Sequence, residues 1–573
     1  MLARPSLDPP HGSPLHRWNG LARRSSRLVR DAGRDSGRRS CELGTAAPVV
    51  MALLTLIFAS SPPLLAADIA VTTMDDTLAG PECSLRAALL ASDFDLEVGG
   101  CAAGSPGLDR VLVPEGFFSL HPGSPSDDPE QTGDLDIAGP VEVIGAGPNR
   151  TFLQPAGPRG GATDRVFEVL AGGDASIRGL TIRGGRAELG GGLFVGNRGR
   201  LTLGDCRLVA NEASSGGSLY AESATLTIED CDILDNRAAA GGAIFHLRGD
   251  LTVRASRFRF NKARSIDPWT GLPGSSGGGG AVAAMGGSTL LEASEVLGNR
   301  ADDTRWGGGG ILAIAGNLDI VRSTLAGNSA TDALADGSPV DPAFDESGGG
   351  AIGAWDASVR LVNSTLSGNE ADGTRLGGGG VLSVGSDVAA NHVTLWDNSA
   401  DGARRAGGDL AGGSLALFSE PGSMVLGASI FAGASPAECF LGASQAIVGG
   451  AAPNAIGDGT CGEAPSIGSV TGLHPTLAGE GGFTRIHRLL PGSNAVDAGP
   501  AECLDSNGVP LLIDQRGVPR PQNGLCDLGA IETKIIPPQT SSAPARGSSS
   551  LGRSSSRTAS SQATSGHGPR RSF

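Results

Sequence analysis

Residues 226–238 read Leu-Thr-Ile-Glu-Asp-Cys-Asp-Ile-Leu-Asp-Asn-Arg-Ala, and this stretch recurs seven times, with changes, between about residues 190 and 400. Each copy begins with a glycine tract, passes through an apolar-polar-apolar triplet and ends on an asparagine, with alanine two residues later. The seven asparagines are Asn211, Asn236, Asn261, Asn299, Asn328, Asn369 and Asn398.

The spacing between consecutive asparagines is 25, 25, 38, 29, 41 and 29 residues, so the unit has about 25 residues and carries insertions. Each insertion falls between the alanine and the next glycine tract, whereas the last glycine of a tract stands 18 or 19 residues before its asparagine. A repeat with one constant part and one variable part is typical of a solenoid whose coils carry loops on a single edge.

Apolar residues stand ten and eight positions before the asparagines, as at Leu226 and Ile228, with a mostly polar residue between them. This period of two is typical of β-strands. A third apolar position lies three residues before the asparagine, as at Ile233. It is an odd number of residues from the first two, so in one straight strand it would face the opposite side; a bend between two short strands is indicated. The repeats therefore predict an all-β fold, a right-handed parallel β-helix whose coils stack about 4.8 Å apart.

Two repeated positions predict side-chain stacks inside this solenoid. The asparagines would form a ladder at a turn, with amides hydrogen-bonded from coil to coil and a structural role. The position five residues earlier holds Cys206 and Cys231 in adjacent coils. Same-facing residues of adjacent parallel strands lie within disulfide range, so these two cysteines are either bonded to each other or stacked as free thiols.

Composition supports one elongated body rather than several globular domains. Hydrophobic residues make up 39% of the 573 residues, yet aromatic residues make up only 4% and glycine occurs 91 times. A narrow core of small aliphatic side chains, with turns made by glycine, explains both numbers.

Residues 1–67 are interpreted as a leader and signal peptide, because an Arg- and Ser-rich stretch precedes an apolar run at 49–57. Ala66 and Ala67 then supply the small residues that a cleavage site needs. The run is short for a membrane span, which is the lesser alternative. Removing the nine arginines and four acids of the leader leaves 35 basic and 56 acidic residues, a net charge of −21. This acidic body argues against nucleic acid as a partner and against anionic membranes.

An even set of cysteines remains after such cleavage. Pairing neighbours along the chain would give four short loops, a framework expected of an exported protein, although spacing does not fix connectivity. The eight cysteines are Cys83, Cys101, Cys206, Cys231, Cys439, Cys461, Cys503 and Cys526.

The N-terminal cap is predicted at 68–130. Residues 83–92, Cys-Ser-Leu-Arg-Ala-Ala-Leu-Leu-Ala-Ser, resemble the CSLREA motif of exported bacterial β-helix proteins, with Ala87 in place of the glutamate of the motif. Ser84 is expected to cap a short helix whose Leu85, Leu89 and Leu90 cover the open end of the first coil.

The β-helix repeats are predicted at 131–430 and the end of the β-helix at 431–535. Residues 494–499 (Asn-Ala-Val-Asp-Ala-Gly), 514–521 (Asp-Gln-Arg-Gly-Val-Pro-Arg-Pro) and 526–532 (Cys-Asp-Leu-Gly-Ala-Ile-Glu) resemble the closing signature of the choice-of-anchor Q family. That resemblance implies a pectate-lyase-like solenoid, repeats similar to those of polymorphic outer-membrane proteins and a surface tether. Residues 536–573 form a Ser- and Arg-rich tail without an apolar span, which predicts a disordered segment and no transmembrane anchor in the mature chain.

One polar pattern suggests a binding edge beside the insertions 264–276 and 331–347. Aspartate follows three of the asparagines by three residues, and arginine follows after three more. Arginine and tryptophan there would contact a glycan or a protein partner; the alternative is a solvated edge with weak ion pairs. The edge residues are Asp302, Arg305, Asp372, Arg375, Asp401 and Arg404, together with Trp269 and Trp306.

The sequence indicates no catalytic residues, no metal ligands and no cofactor, since its eight histidines are scattered and its lysines, Lys262 and Lys534, are isolated. It favours a secreted or cell-surface bacterial protein that is non-catalytic and acts in adhesion or in binding a glycan or another surface protein. The alternative is a polysaccharide lyase or glycoside hydrolase acting on an extracellular glycan, because one fold can host both functions.

Overall fold

The structure is a computed structural model that describes residues 66–121, 133–156, 164–264, 277–302, 306–331, 347–374, 376–401, 411–418, 422–442, 447–450 and 452–533. These residues belong to one compact unit. Every named strand pairing is parallel, and partners lie one coil apart in the chain, as for Leu193 with Leu219. The all-β, parallel β-helix fold predicted from the repeats is confirmed.

Each coil passes through three faces and one edge. In the coil that starts at Leu193, face A is Leu193–Val195, face B is Arg200–Gly204, face C is Arg207–Val209 and edge D is Glu212–Ser215. Faces A and B belong to one 22-stranded sheet, because Leu219–Glu229 and Ile244–Arg254 run through both faces without a break.

The remaining strands repeat this order. Face A also contains Leu135–Ile137, Phe167–Val169, Val282–Met285, Ile311–Ile314, Ile352–Trp355, Val381–Val384, Leu415–Phe418 and Cys439–Leu441. Face B also contains Asp68–Ala70, Asp109–Val113, Pro140–Gly145, Asp174–Arg178, Ser288–Glu292, Asn317–Val321, Ser358–Val362, Asp387–Asn391, Met424–Gly427 and Ile447–Gly449.

Face C and edge D are separate sheets. Face C also contains Gly116–Leu120, Thr151–Pro155, Thr181–Arg183, Asp232–Leu234, Arg257–Arg259, Glu295–Leu297, Thr324–Ala326, Thr365–Ser367, Thr394–Trp396, Ile430–Ala432 and Ala455–Ile456. Edge D also contains Arg186–Leu189, Arg237–Ala238, Lys262–Arg264, Arg300–Asp302, Ser329–Thr331 and Glu370–Asp372. A fourth, short sheet is formed by Trp306–Gly308, Ser347–Gly349, Leu376–Gly378 and Ala411–Gly412.

The core lies inside the coils and is filled by the apolar rows seen in the sequence. Leu226, Ile228 and Ile233 are each at most 1% exposed. The change of parity between the two rows is made by Asp230, whose φ of 53° turns the chain between face B and face C. Asp235, with φ of 56°, makes the next turn just before Asn236.

One helix, α1 (Leu85–Phe94), covers the first coil. The Ser84 hydroxyl accepts a hydrogen bond from the Ala87 N–H at 3.1 Å, as expected of an N-cap residue. Leu85 and Leu89 are buried, and Leu90 is half-buried.

Three of the four adjacent cysteine pairs are disulfides: Cys83–Cys101, Cys439–Cys461 and Cys503–Cys526. The fourth pair is not bonded: Cys206 and Cys231 are buried free thiols, so the predicted disulfide alternative is wrong for this pair. They stack in adjacent coils and behave as small core residues.

The predicted β-helix end at 431–535 divides into two parts. The last strand in face C is Ala455–Ile456, and the remainder, residues 457–533, contains only isolated bridges. We call residues 457–533 the C-terminal segment. It does not extend the stack but returns along face C, where Gln515 contacts Thr324, 191 residues earlier.

Candidate functional site

The aspartates of the predicted binding edge lie in one column on edge D. Asp302, Thr331 and Asp372 are paired in register on consecutive coils. Asp401 lies one coil further, where it accepts a hydrogen bond from Ser399 at 3.0 Å. Trp306 is half-buried, with its ring centroid 6.4 Å from that of Trp355. Arg305, Arg375, Arg404 and Trp269 lie outside the described residues.

Asp302 is held by an internal network rather than presented to solvent. Its carboxylate lies 3.0 Å from Arg300 Nε and 3.4 Å from Lys262 Nζ, and it accepts a hydrogen bond from the Thr331 hydroxyl at 2.9 Å. Burial acts to raise the pKa of Asp302, but these three partners outweigh it and hold the pKa below its usual value. The ion pairs of the solvated-edge alternative are therefore present at Asp302, but the carboxylate is buried rather than solvated, and it is not open to a ligand.

A concave surface lies at the corner between faces A and B. We call it the corner groove; its volume is about 530 Å³, and it crosses four coils. Its polar lining is Ser288, Asn317, Asp356, Ser358 and Asp387, and its floor is Gly287, Ala315, Gly316, Ala357 and Gly385.

Four of the polar residues form one column along the groove. Ser288, Asn317, Ser358 and Asp387 are paired in register on consecutive coils and are exposed. Within the described part of the chain, the side chains of Ser288, Asn317 and Ser358 make no hydrogen bond. The column therefore offers one free polar group on each of three consecutive coils, about 4.8 Å apart. On the fourth coil, Asp387 accepts hydrogen bonds from the Ser423 N–H at 3.0 Å and from the Ser423 hydroxyl at 2.7 Å.

The floor is shaped by residues that lack large side chains. A Cβ on Gly287 would lie 2.1 Å from the Gly249 carbonyl oxygen, and one on Gly316 would lie 2.8 Å from the Gly287 carbonyl oxygen. Such contacts leave no room for a side chain at the corner.

A second constellation lies near the N-terminal end of face A. We call Asp134, Asp136 and Glu168 the acid cluster, since oxygens of their carboxyl groups lie within 4.8 Å of one another. Leu135 points into the core, so the two aspartates point outwards. Arg165 pairs with Glu168 and lies 3.3 Å from Asp134.

Burial and mutual repulsion favour the protonated form of the acid cluster. Burial raises the pKa of Asp136 to about 7, and the charges of Asp134 and Glu168 add to the rise, while Arg165 opposes it. Burial raises the pKa of Asp134 as well. A protonated carboxyl beside a paired carboxylate can act as an acid and base pair, and the same oxygens could hold a cation.

Face C is open at its N-terminal end and covered further along. Gln515 of the C-terminal segment donates to the Thr324 hydroxyl at 2.8 Å and accepts from the Thr365 hydroxyl at 2.6 Å. Arg485 pairs with Glu295 at 3.1 Å. Thr324 and Thr365 are consequently fully buried, which removes this half of face C from any binding surface.

The residues of the closing signature hold the C-terminal segment together. Asp514 accepts hydrogen bonds from the backbone N–H groups of Arg516 and Val518, both at 2.8 Å. Arg520 donates to the Gly529 carbonyl at 2.7 Å and lies 3.7 Å from Glu532, and both side chains are almost fully buried. Burial raises the pKa of Glu532 to about 7, against the effect of Arg520. These residues therefore make contacts that hold the C-terminal segment in shape.

Sequence reasoning did not find the corner groove, the acid cluster or the return of the C-terminal segment. The groove had a signal: Ser288, Asn317, Ser358 and Asp387 each stand eleven residues before a repeated asparagine. The acid cluster lies in coils without that asparagine, so no alignment of repeats brings its three residues together.

The chain matches no protein-family model and no curated protein at a significant level. The resemblance to the CSLREA and choice-of-anchor Q families therefore stays a prediction.

No helix in the described residues is both long and apolar enough to cross a lipid bilayer.

Two solved structures show a distant likeness. One is the A-module of the mannuronan C-5 epimerase AlgE4 of Azotobacter vinelandii, at 14% identity over 59% of this chain and 95% of that one, with a TM-score of 0.23. The other is the catalytic unit of a thermostable GH87 α-1,3-glucanase from Streptomyces thermodiastaticus strain HF3-3, at 12% identity over 68% of this chain and 71% of that one, with a TM-score of 0.24. At these scores neither likeness carries an argument about function.

Proposed function

We propose that this protein is an exported β-helix protein that binds a neutral extracellular glycan without cleaving it, and that the corner groove is its binding site. The observation that carries the proposal is the column Ser288, Asn317 and Ser358, which places a free hydroxyl or amide on each coil above a floor of glycine and alanine. A polymer with a regular repeat suits a surface with a regular repeat.

The size and charge of the groove define the class of glycan. Its volume of about 530 Å³ lies within the range of about 300 to 1,000 Å³ that is usual for ligand pockets. Asp356 and Asp387 are its charged lining residues. Carboxylates accept hydrogen bonds from sugar hydroxyls and repel anionic groups, so the groove favours a neutral chain.

Export is supported by the three disulfides, which persist in oxidising compartments. The apolar run at 49–57, interpreted as part of a signal peptide, agrees with this location.

The test is titration of the full chain with neutral linear oligosaccharides, such as the hexamers of cellulose, xylan and laminarin, by calorimetry. Asn317→Ala should weaken binding about tenfold, because one hydrogen bond is lost from the ligand. Asn197→Ala is the matched control, since Asn197 is an exposed asparagine at the same corner of an earlier coil, outside the groove. Absence of binding to every neutral glycan tested, or equal weakening by both substitutions, would refute the proposal.

The acid cluster favours a second candidate function, a glycoside hydrolase. Hydrolases that retain the anomeric configuration place two carboxyl groups roughly 5 to 5.5 Å apart, one protonated and one ionised. Asp136, with its raised pKa, and Glu168, paired with Arg165, approach this arrangement.

Release of reducing ends from polysaccharides between pH 5 and 8 distinguishes the two candidates. Release that is abolished by Asp136→Asn and kept by Asp174→Asn, a change at an exposed carboxylate of face B, would establish the hydrolase and replace the binding function.

A further inference from the structure

A stacked pair of aromatic rings, one exposed and one half-buried, lies at the N-terminal end of face C. Phe117 and Phe152, on consecutive strands, stack with ring centroids 4.7 Å apart and planes inclined by 11°. Phe117 is 58% exposed, whereas its neighbour Phe118 points into the core and is 2% exposed. Stacked rings that face water in this way are typical of a surface that meets a partner.

An arginine from the next coil completes this surface. The guanidinium of Arg183 lies 5.3 Å from the ring centroid of Phe117 and 5.2 Å from that of Phe152. Its Nε donates to Gln154 Oε1 at 2.9 Å, which fixes the plane of the guanidinium. We call Phe117, Phe152, Gln154 and Arg183 the aromatic–arginine patch.

The two Nη groups of Arg183 have no acceptor among the described residues, and no ion pair joins this arginine to a carboxylate there. The neighbouring charges are already paired: Arg150 binds Glu115, and Arg207 contacts Asp232 at 3.9 Å and donates to Asn149 at 3.0 Å. Within the described residues Arg183 is therefore a fixed cation without an acidic partner, and the net charge of the full chain is −16.

The patch lies away from the part of face C that the C-terminal segment covers. The contacts of that segment with face C extend towards the N-terminus as far as Arg257, which lies 4.3 Å from the ring centroid of Phe483. The strand Thr181–Arg183 is three coils nearer the N-terminus, so its outer side remains free of these contacts.

We propose that the aromatic–arginine patch binds an acidic sugar residue of an extracellular glycan. The apolar face of the sugar ring would pack on Phe117, and its carboxylate or sulfate would accept hydrogen bonds from the Nη groups of Arg183. Arginine binds such planar or branched anions through paired hydrogen bonds. A nucleic acid is disfavoured because its affinity depends on several phosphate contacts, which an acidic body with a single arginine in the patch does not supply.

This site is separate from the corner groove. It lies on face C and favours an anionic ligand, whereas the groove favours a neutral one. If no neutral glycan binds, the groove proposal is refuted and the patch proposal is not affected. If no acidic polymer binds, the patch proposal is refuted and the groove proposal is not affected. The two proposals therefore fail independently.

Biolayer interferometry of the full chain against two matched pairs of polymers tests the proposal: dextran sulfate against dextran, and polygalacturonate against its methyl ester. We expect binding to at least one acidic polymer and not to its neutral partner. A preference for dextran sulfate identifies sulfate as the group recognised, and a preference for polygalacturonate identifies carboxylate.

The residues are tested by Arg183→Gln and Phe117→Ala, each of which should weaken binding at least tenfold, because charge-assisted hydrogen bonds or ring contact are lost. Arg183→Lys should restore only part of the affinity, since lysine lacks the planar fork. The control is Arg178→Gln on the same coil, whose arginine is 52% exposed and paired with Glu142 at 2.7 Å. Equal binding to the neutral polymers, or equal loss in Arg178→Gln, would overturn the assignment.

Discussion

Asn211 donates both its backbone N–H and its side-chain Nδ2–H to Oδ1 of Asn236 on the next coil, each at 3.0 Å. The second hydrogen of the Asn236 amide goes to the Leu208 carbonyl at 3.0 Å. The same bonds repeat through the stack to Asn398, and all seven side chains are fully buried. The ladder therefore fastens the seven coils that carry the asparagine to one another and satisfies buried donors that no strand pairing reaches.

Asn299→Ala should lower the free energy of unfolding by about 3 kcal/mol. The Asn261 backbone N–H and its Nδ2–H both donate to Asn299 Oδ1, and each would lose its acceptor in a dry core, at roughly 1 to 3 kcal/mol per donor. Chemical denaturation followed by circular dichroism measures the loss. Asn317→Ala, at an exposed asparagine of face B, should change stability by less than about 0.5 kcal/mol. Similar losses in both variants would contradict the role of the ladder.

Cys206 and Cys231 should be the two reduced thiols of residues 66–533. Denatured, unreduced protein treated with iodoacetamide should carry label at these two cysteines and at no other in that range, as read by peptide mass spectrometry. Native protein should stay unlabelled there, because the thiols are 1% and 3% exposed. A hydrogen bond with Cys206, together with burial, also raises the pKa of the Cys231 thiol well above its usual value. Recovery of a peptide pair linked through Cys206 and Cys231 would count against this assignment.

Asp136→Asn should flatten the pH dependence of stability between about pH 4 and pH 7. The folded-state pKa of Asp136 is raised from 3.8 to about 7, so the folded protein holds a proton that the unfolded chain has lost. The stabilisation from this group is full below the unfolded pKa and is lost as pH rises through the folded pKa. Asparagine does not titrate, which removes this decline.

The measurement for Asp136 is the free energy of unfolding at intervals from pH 4 to pH 8, compared with that of Asp174→Asn. Asp174 is an exposed carboxylate of face B paired with Arg200 at 3.6 Å, so its removal should leave the slope near that of the unaltered protein. An unchanged slope in Asp136→Asn would show that the acid cluster does not hold its proton.

Gly287→Ala should destabilise the protein more than Gly327→Ala. Both glycines have positive φ, 74° and 60°, which costs an alanine about 1 to 2 kcal/mol. Only Gly287 has no space for a Cβ, which would lie 2.1 Å from the Gly249 carbonyl oxygen, whereas nothing lies within 4 Å at Gly327. Thermal unfolding should show a clearly larger drop in melting temperature for Gly287→Ala. Equal drops would mean that the backbone at Gly287 and Gly249 shifts to make room for the Cβ at little cost.

Repetition made much of the fold predictable. The rows at Leu226, Ile228 and Ile233 have the period of strands, and the constant distance from glycine tract to asparagine fixes which residues stack. The ladder and the burial of the alanine two residues later, such as Ala238, follow from that constancy. The sequence did not predict the environment of the candidate edge, because Asp302 pairs with Arg300 and Lys262 and is only 9% exposed.

The sequence by itself determined the coil, the order of its strands and the inward rows, because these depend on local periodicity that each copy repeats. It left Cys206 and Cys231 open between a bond and two thiols. The tertiary structure alone decided where the C-terminal segment lies, since Gln515 and Thr324 are 191 residues apart and belong to no common repeat. It also decided the acid cluster and the aromatic–arginine patch, because such surfaces combine outward-facing residues of different coils, and outward positions are free to vary without changing the core.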